Sequence, residues 1–572
     1  MKSLKFWHKI PVTPEERKLR KQHRLYGILS GVLMGLSFPP VPFPFTILMF
    51  FGLLPYFSVL GKKEKLIDIN RFTYLTFFVF NVITIYWVGS WSKEADPFLM
   101  TGGFLLLFLN PAIFLIPSTL YYHTKKILNK NIAFLLFPFF WVSCEYLYML
   151  TDLSFPWLTL GNGLTYFNLF IQCADIAGAL GLSLIVLFIN VGLFFAFRNY
   201  KEKRRLNYYG LICAALLFII PCAYGMFRLS YYKISDRTTR VGLIQPNLNP
   251  WEKWNGGDVW QLTKEYLELS QKAVDNGAKI IFWPETALPV YLRDGAYRNI
   301  IDSLDIFVRR NNVSLITGMP DFRLFPDKAS APPDAKYSRI TNTYYAVYNS
   351  VLLFTPNSYR HDHYGKMKLV PFGERVPFVD ALPFLGEFIK WNVGISGWNV
   401  GRDTTVFKIA GNVKYRGEIS RQADTVKINS LVCFESVYPD FVAAFTQKGA
   451  QLISVVTNDS WYGNSSGPYQ HKEIGVLRAV ENRRAVVRAA NGGISTIIDP
   501  FGHTLSCTKM YQRTYLTGDV PLETRMTFFS EYPLLIPLFS SAVSVLLILL
   551  IILHKLYLLI SLKNKWRFFS IR

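Results

Sequence analysis

Residues 431–436, LVCFES, place Cys433 at the end of an apolar run and two positions before Glu435, in a chain with only six cysteines. A cysteine there is a packed core thiol, half of a disulfide or a nucleophile, and alone it is most often the first. The flanking runs decide what it stands on. SLVCFES (430–436) is followed by the helical PDFVAAFTQKGA (439–450) and the strand-like QLISVVTN (451–458). Upstream, TRVGLIQPN (239–247) reads as a strand ending in a Pro-Asn turn, and WQLTKEYLELSQKAVDNG (260–277) as a helix stopped by Asn276-Gly277. KIIFWPE (279–285), VSLITGMP (313–320) and NSVLLFTP (349–356) are strand-like, and PVYLRDGAYRNIIDSLDIFVRRNN (289–312) is helical. Apolar strands alternating with helices predict α/β layers rather than an all-β sandwich. Between two of the strands, Phe322–Thr343 is rich in Pro and charge without periodicity and reads as a surface insertion.

The rest of the chain has a different character. Of its 572 residues, 51% are hydrophobic and only 18% charged, where a soluble protein carries nearer a quarter charged. Apolar runs of near-spanning length fall at about 25–40, 43–60, 72–91, 98–122, 131–150, 174–197 and 207–228, with one more at 533–560. The opening segment does not read as a cleavable signal peptide, because repeated spans follow its basic region. A formal charge of +23 invites a nucleic-acid reading, but the charge lies in short clusters between apolar runs, and no nucleic-acid partner is expected. Lys and Arg crowd the residues before Leu25, the loops at 62–71, 125–130 and 198–205, and the residues after Lys555, while the alternate loops are almost bare. The positive-inside rule then predicts both termini in the cytoplasm and the polar region outside it. The expected organisation is a basic tail (1–24), a membrane domain of about seven helices (25–228), an external α/β domain (229–531), a closing span (532–560) and a second basic tail (561–572). Glu145, in WVSCEYL, is an ionisable residue inside a span, either functional or paired locally. The outer loop Ser154–Asn168, which opens with SFPWLTLGN, is a lipid entry or an interfacial anchor.

Three strand ends of the α/β region carry reactive residues. KIIFWPE delivers Glu285, YGKMKLVPFGERVPF (364–378) delivers Lys366, Lys368 and Glu374, and SLVCFES delivers Cys433. Residues at the carboxyl ends of neighbouring strands converge on one crevice in an α/β fold. An acid, an amine and a thiol meeting there form a base, an oxyanion stabiliser and a nucleophile. Singly, each is commonplace, and a disulfide between Cys433 and Cys507 is a further alternative on an oxidising side.

Taken together, FWPETALP (282–289), YGKMKLVPFGERVPF, LVCFES and TNDSWYG (457–463), in that order, resemble the nitrilase (carbon–nitrogen hydrolase) superfamily. With HKEIGVLRAVENRR (471–484) and RAANGGIS (488–495), and with spans before and after, the chain resembles the membrane branch of that superfamily, the apolipoprotein N-acyltransferases. The resemblance covers nearly the whole chain. It implies a multi-pass helical membrane domain carrying an αββα sandwich with a Glu-Lys-Cys triad. Carried over residue by residue, the triad is Glu285, Lys366 and Cys433, with Lys366 eight positions before Glu374. Glu374 and Glu435 match further family glutamates, and Trp254 falls at the spacing of a family tryptophan near the substrate pocket. Phe434 departs from a family tyrosine, keeping the ring and losing the hydroxyl. FLGEFIKWNVGISGW (384–398), with Trp391 and Trp398, is a lipid-contacting lid or an ordinary buried loop.

The resemblance further implies acyl transfer from a phospholipid to the α-amino group of a diacylated apolipoprotein, through a thioester on the cysteine, at the bacterial inner membrane with the catalytic domain periplasmic. No cofactor or metal is expected: His361 and His363 lie close, but no complementary ligand set stands out. The alternative readings are a membrane-tethered amidase passing water to the thioester, a transporter with an accessory domain, and a scaffold that binds lipoproteins without chemistry.

Overall fold

The computed structural model describes residues 13–91, 97–203, 206–254, 257–379, 382, 397–411, 413–415, 418–419 and 424–569. Among them, six helices are long and apolar enough to cross a membrane: Leu66–Gly89, Leu99–Ile127, Lys130–Met149, Ala174–Arg198, Tyr208–Tyr231 and Leu535–Ser561. The two spans expected first differ. The helix expected near residue 25 begins at Pro14, where Thr13 accepts the Glu16 N–H and Glu15 and Glu16 lie in the first turn, so Arg17 to Arg24 belong to a helix rather than a tail. The run expected at 43–60 is a 3₁₀ turn, Phe45–Phe50, followed by the short helix Leu54–Leu60. Helix Pro14–Leu36 packs closely on helix Leu66–Ile85; a Cβ on Gly31 would come within 2.5 Å of the Thr76 carbonyl.

The other half is built on two sheets. The first contains β1 (Arg237–Gln245), β2 (Ile280–Phe282), β3 (Ser314–Phe325), β4 (Lys336–Ser338), β5 (Thr343–Thr355) and β6 (Ser358–Gly365). The second contains β7 (Phe407–Ala410), and the short β8 (Lys414–Tyr415) and β9 (Glu418–Ile419) return to the first. Then β10 (Thr425–Val432), β11 (Leu452–Thr457), β12 (Ala485–Ala490), β13 (Thr496–Ile498) and β14 (Thr504–Cys507) complete the second sheet, and β15 (Thr514–Pro521) pairs with β1. β1, β2 and β3 are parallel to one another, as are β10, β11 and β12, and helices cover the crossovers.

Side-chain alternation explains the layering. Ile281, Trp283, Leu315 and Leu352 face helices Val259–Asp275 and Arg298–Asn311, whereas Ile280, Phe282, Ile316 and Val351 face Leu431, Val455 and Val486 of the other sheet. This is the αββα arrangement. The region expected as an insertion is partly strand: Phe322–Phe325 pair with Tyr344–Val347 in a long β3–β5 hairpin. Phe322, Leu324 and Tyr345 supply β-compatible side chains that the surrounding Pro and charge obscure.

The two halves are joined through buried polar contacts. Asp175 accepts hydrogen bonds from Arg483 at 2.8 Å and 3.0 Å, and Arg483 also donates to the Gln172 side chain at 2.7 Å. The loop before residue 160 reaches the Cys433 region, where Ser154 and Tyr438 hydroxyls lie 2.8 Å apart.

Candidate active site

The carboxyl ends of β2 and β10 and the segment after β6 bring Glu285, Cys433 and Lys366 together. Pro284 ends β2, and Glu285 leaves it into a turn that β3 overlies through Gly318; a Cβ on Gly318 would sit 2.7 Å from the Glu285 Cα. Lys366 follows β6 directly, and its backbone N–H donates to Asn349 O at 2.8 Å. Its ammonium donates to Glu374 Oε1 at 2.8 Å and Glu285 Oε1 at 3.3 Å. Asn349 bridges the same two carboxylates, donating at 2.8 Å and 2.9 Å, and the Asn458 N–H donates to the other Glu285 oxygen at 3.1 Å. Burial alone would depress the lysine, but Glu285, Glu374 and Cys433 outweigh it and hold Lys366 well above the ordinary lysine value.

Cys433 follows β10 immediately, with φ of 52°, a region non-glycine residues rarely occupy. Burial and the negative charge of Glu285 push its thiol well above the usual range, with Lys366 and a hydrogen bond from Thr457 opposing them. The resting thiol is therefore protonated beside a base and an ammonium. That set can remove a thiol proton and stabilise an oxyanion without ever isolating a buried charge. Cys433 and Cys507 are both free, and Cys507 is exposed, so the disulfide alternative is not realised.

Glu435 has a different task. One of its oxygens accepts from Tyr364 Oη and the Met367 N–H, each at 2.6 Å, and the other from the Val432 N–H at 2.8 Å. It clamps the cysteine strand to the lysine segment. Glu374 is anchored by the Val370 N–H at 2.8 Å. The Phe434 ring is buried, stacked on Phe155 at 6.2 Å and edge-on to Tyr438 at 5.4 Å. Trp398 is also buried; its backbone N–H donates to the Glu374 carbonyl at 3.2 Å, so its main chain braces the glutamate loop. Trp391 lies outside the described residues. Trp254 is half-buried in a turn, while its neighbour Trp251 meets Trp461 edge-on at 4.8 Å. Glu145 pairs locally, accepting from Trp141 at 2.9 Å and the Leu160 N–H at 3.0 Å.

Several polar residues at the site carry no separate signal in the sequence. Asn349 opens a run read only as strand. Lys253 lies partly buried beside Thr286 at 3.4 Å, and burial pulls its ammonium down to about 7 against the raising effect of Glu285. Asp459 and His471 stand inside motifs that mark the family, yet their types alone name no role. They bring ligand-type atoms within 4.8 Å of one another and of Cys433, a set in principle able to hold a metal. Both are already committed to each other, at 2.9 Å, and to Arg488, which suits a cation poorly.

An acid, a lysine and a thiol at the strand ends of an αββα sandwich define a carbon–nitrogen hydrolase domain, here joined to a bundle of apolar helices. The family model for carbon–nitrogen hydrolases matches residues 240–527, and that for the apolipoprotein N-acyltransferase N-terminal domain matches 30–192. The apolipoprotein N-acyltransferase of Chlorobaculum tepidum is 35% identical over 89% of this chain and 93% of its own. That of Geobacter metallireducens is 31% identical over 91% of this chain and 93% of its own. Among solved structures, an amidase from Nesterenkonia sp. aligns with 52% of this chain and 95% of its own, with a TM-score of 0.33 and 16% identity. The chain belongs to the apolipoprotein N-acyltransferase family.

Proposed function

We propose that this membrane acyltransferase moves an acyl chain from a phospholipid to the α-amino group of the lipidated N-terminal cysteine of apolipoproteins, through a thioester on Cys433. The observation that carries the reading is the single Lys366 ammonium held between Glu285 and Glu374 beside a protonated thiol. Glu285 accepts the thiol proton as sulfur attacks the ester carbonyl, and Lys366 faces the developing oxyanion. Collapse breaks the ester C–O bond, and the lysophospholipid oxygen leaves with the proton from Glu285. The acceptor amine then attacks the thioester, gives its proton to Glu285, and the expelled thiolate takes that proton back. Such a route predicts ping-pong kinetics. The alternation of basic and bare loops supports an orientation with both termini cytoplasmic and the catalytic sheets on the opposite face of a bacterial inner membrane. A platform of apolar helices suits two substrates that are themselves lipids.

The test is the intact mass of the purified protein after incubation with a defined phospholipid, beside Cys433→Ser. Gain of one acyl chain by the wild type, labile to neutral hydroxylamine and discharged by a diacylated lipopeptide, is the expected result. Discharge by water alone would make the protein an amidase-like hydrolase. A folded wild type that never gains the chain would overturn the reading.

A further inference from the structure

Beside Cys433 lies a second buried chain of polar groups, which the acyl-transfer chemistry above does not use. Asp459, His471 and Ser436 are each at most 3% exposed. Asp459 Oδ1 lies 2.9 Å from His471 Nδ1, and His471 Nε2 lies 2.9 Å from Ser436 Oγ. Arg488 and His471 hold the Asp459 carboxyl well below the usual range despite its burial, so it is the accepting end of the series, with Arg488 also 3.1 Å from His471 Nδ1. In outline this is an acid–imidazole–hydroxyl series of the kind that activates serine nucleophiles. Its last member points elsewhere. Ser436 Oγ donates to the Cys433 carbonyl at 2.8 Å, and His471 Nε2 is 3.2 Å from the same oxygen. The series therefore ends on the backbone of the cysteine and not on a substrate.

That backbone needs holding. A non-glycine residue at φ of 52° sits in a sparsely populated region that persists only where its surroundings impose it. Because a trans peptide sets its N–H antiparallel to its C=O, fixing the Cys433 carbonyl also fixes the direction of the Phe434 N–H, the donor next to the thiol. The membrane half closes the same network: the Trp157 ring packs on His471 at 5.4 Å, and Trp157 Nε1 donates to Gln470 at 2.7 Å.

We propose that His471, backed by Asp459 and acting through Ser436, is a positioning residue that fixes the Cys433 turn and so aims the thiol at Glu285 and Lys366. The inference rests on the acyl-enzyme reading given above. A misaimed nucleophile loses rate without losing substrate affinity.

The test uses the full-length protein in nanodiscs containing phospholipid, following thioester formation by rapid quench and intact mass for wild type, His471→Ala, His471→Gln and Ser436→Ala. His471→Ala should slow acylation by about 10- to 100-fold with the donor KM within about twofold, as a displacement near 1 Å does elsewhere. His471→Gln, whose amide nitrogen can replace Nε2, should recover to within about fivefold of wild type, and Ser436→Ala should fall between them. Acylation of His471→Ala at the wild-type rate overturns the inference and leaves the acyl-enzyme reading standing. So does a Gln variant as slow as Ala with an equally lowered Tm, since that is the mark of a packing residue. If His471→Ala does not fold, the Gln and Ser436 variants decide by the same criteria. A wild type that is never acylated overturns the reading and the inference with it.

Discussion

Asp175 in the helical half and Glu285 in the sheet half are both buried acids, 2% and 7% exposed, and their partners differ in kind. Asp175 is held by two guanidiniums, Arg483 and Arg228, each at 2.8 Å, and by the Tyr224 hydroxyl at 2.8 Å. Around Glu285 the balance is reversed: two carboxylates share one ammonium and one asparagine amide. At the first site the guanidiniums outnumber the acid they hold; at the second, two acids share one ammonium beside a thiol. Arg, planar and always charged, suits the first; Lys, a compact charge on a flexible stem, suits the second. A buried carboxylate is thus a fastener at one place and a proposed reagent at the other, and the surrounding partners make the difference.

Two substitutions put that contrast at risk. Lys366→Met should lower turnover by about 10³-fold or more, because it removes the proposed oxyanion donor and leaves Glu285 and Glu374 facing each other. Single-turnover acylation measured by mass checks it, and a loss under about tenfold would show that Lys366 is not that donor. Arg483→Met should instead cost about 3–5 kcal/mol of stability, as expected when one partner of a buried pair is removed. Its acylation rate per folded molecule should remain within about twofold of wild type, because Asp175 takes no part in the chemistry. A folded Arg483→Met protein that cannot be acylated would erase the distinction between the two acids.

Much of the sheet half is legible in the sequence because its strands are bounded sharply: Gly277 precedes β2 and Pro284 closes it, and the candidate reactive residues sit where such runs stop. The αββα layers follow from alternation that survives even in short runs such as Ile280–Phe282. The first 60 residues read less well. Proline and glycine between Phe38 and Pro55 divide the apolar run into a 3₁₀ turn and a seven-residue helix, and hydropathy alone does not register that division. The β3–β5 hairpin was hidden by composition. Polar residues of the site were legible only where the family resemblance gives them a role, as with Glu374. Asn349 and His471 act through distance to residues far along the chain, 64 positions in the case of Asn349 and Glu285, and no local pattern encodes that.

Glu435 lies between the two kinds of acid. It is fully buried like Asp175, but it holds backbone donors in place of guanidiniums. Burial pushes its carboxyl up to about 7, against the lowering pull of Tyr364 and the Val432 and Met367 N–H groups. An acid whose folded value exceeds its unfolded one loses stability as pH rises, here from about 4.5 through about 7. Glu435→Gln removes that dependence and also loses acceptors, so it should be less stable than wild type near pH 5. The difference in Tm should then narrow toward about pH 7.5, by the equivalent of up to about 3 kcal/mol. A constant difference across that range would show that burial does not raise the Glu435 carboxyl.

The smallest effect is expected at Phe434, where this chain departs from the tyrosine of the resembling family. The ring meets Phe155 on one face and Tyr438 at its edge, a contact between the helical half and the catalytic turn made by carbon alone. Tyr438 already supplies a hydroxyl here, paired with Ser154 at 2.8 Å. Phe434→Tyr should therefore change turnover by less than about threefold, and it should lower stability by about 1–3 kcal/mol if the new hydroxyl is buried without a partner. Turnover and Tm measured together separate the two consequences. A tenfold gain in turnover, on the order of 1.4 kcal/mol in the barrier, would show that the hydroxyl takes part in the chemistry. The ring's role as a packing element between the two halves would then be the wrong account of position 434.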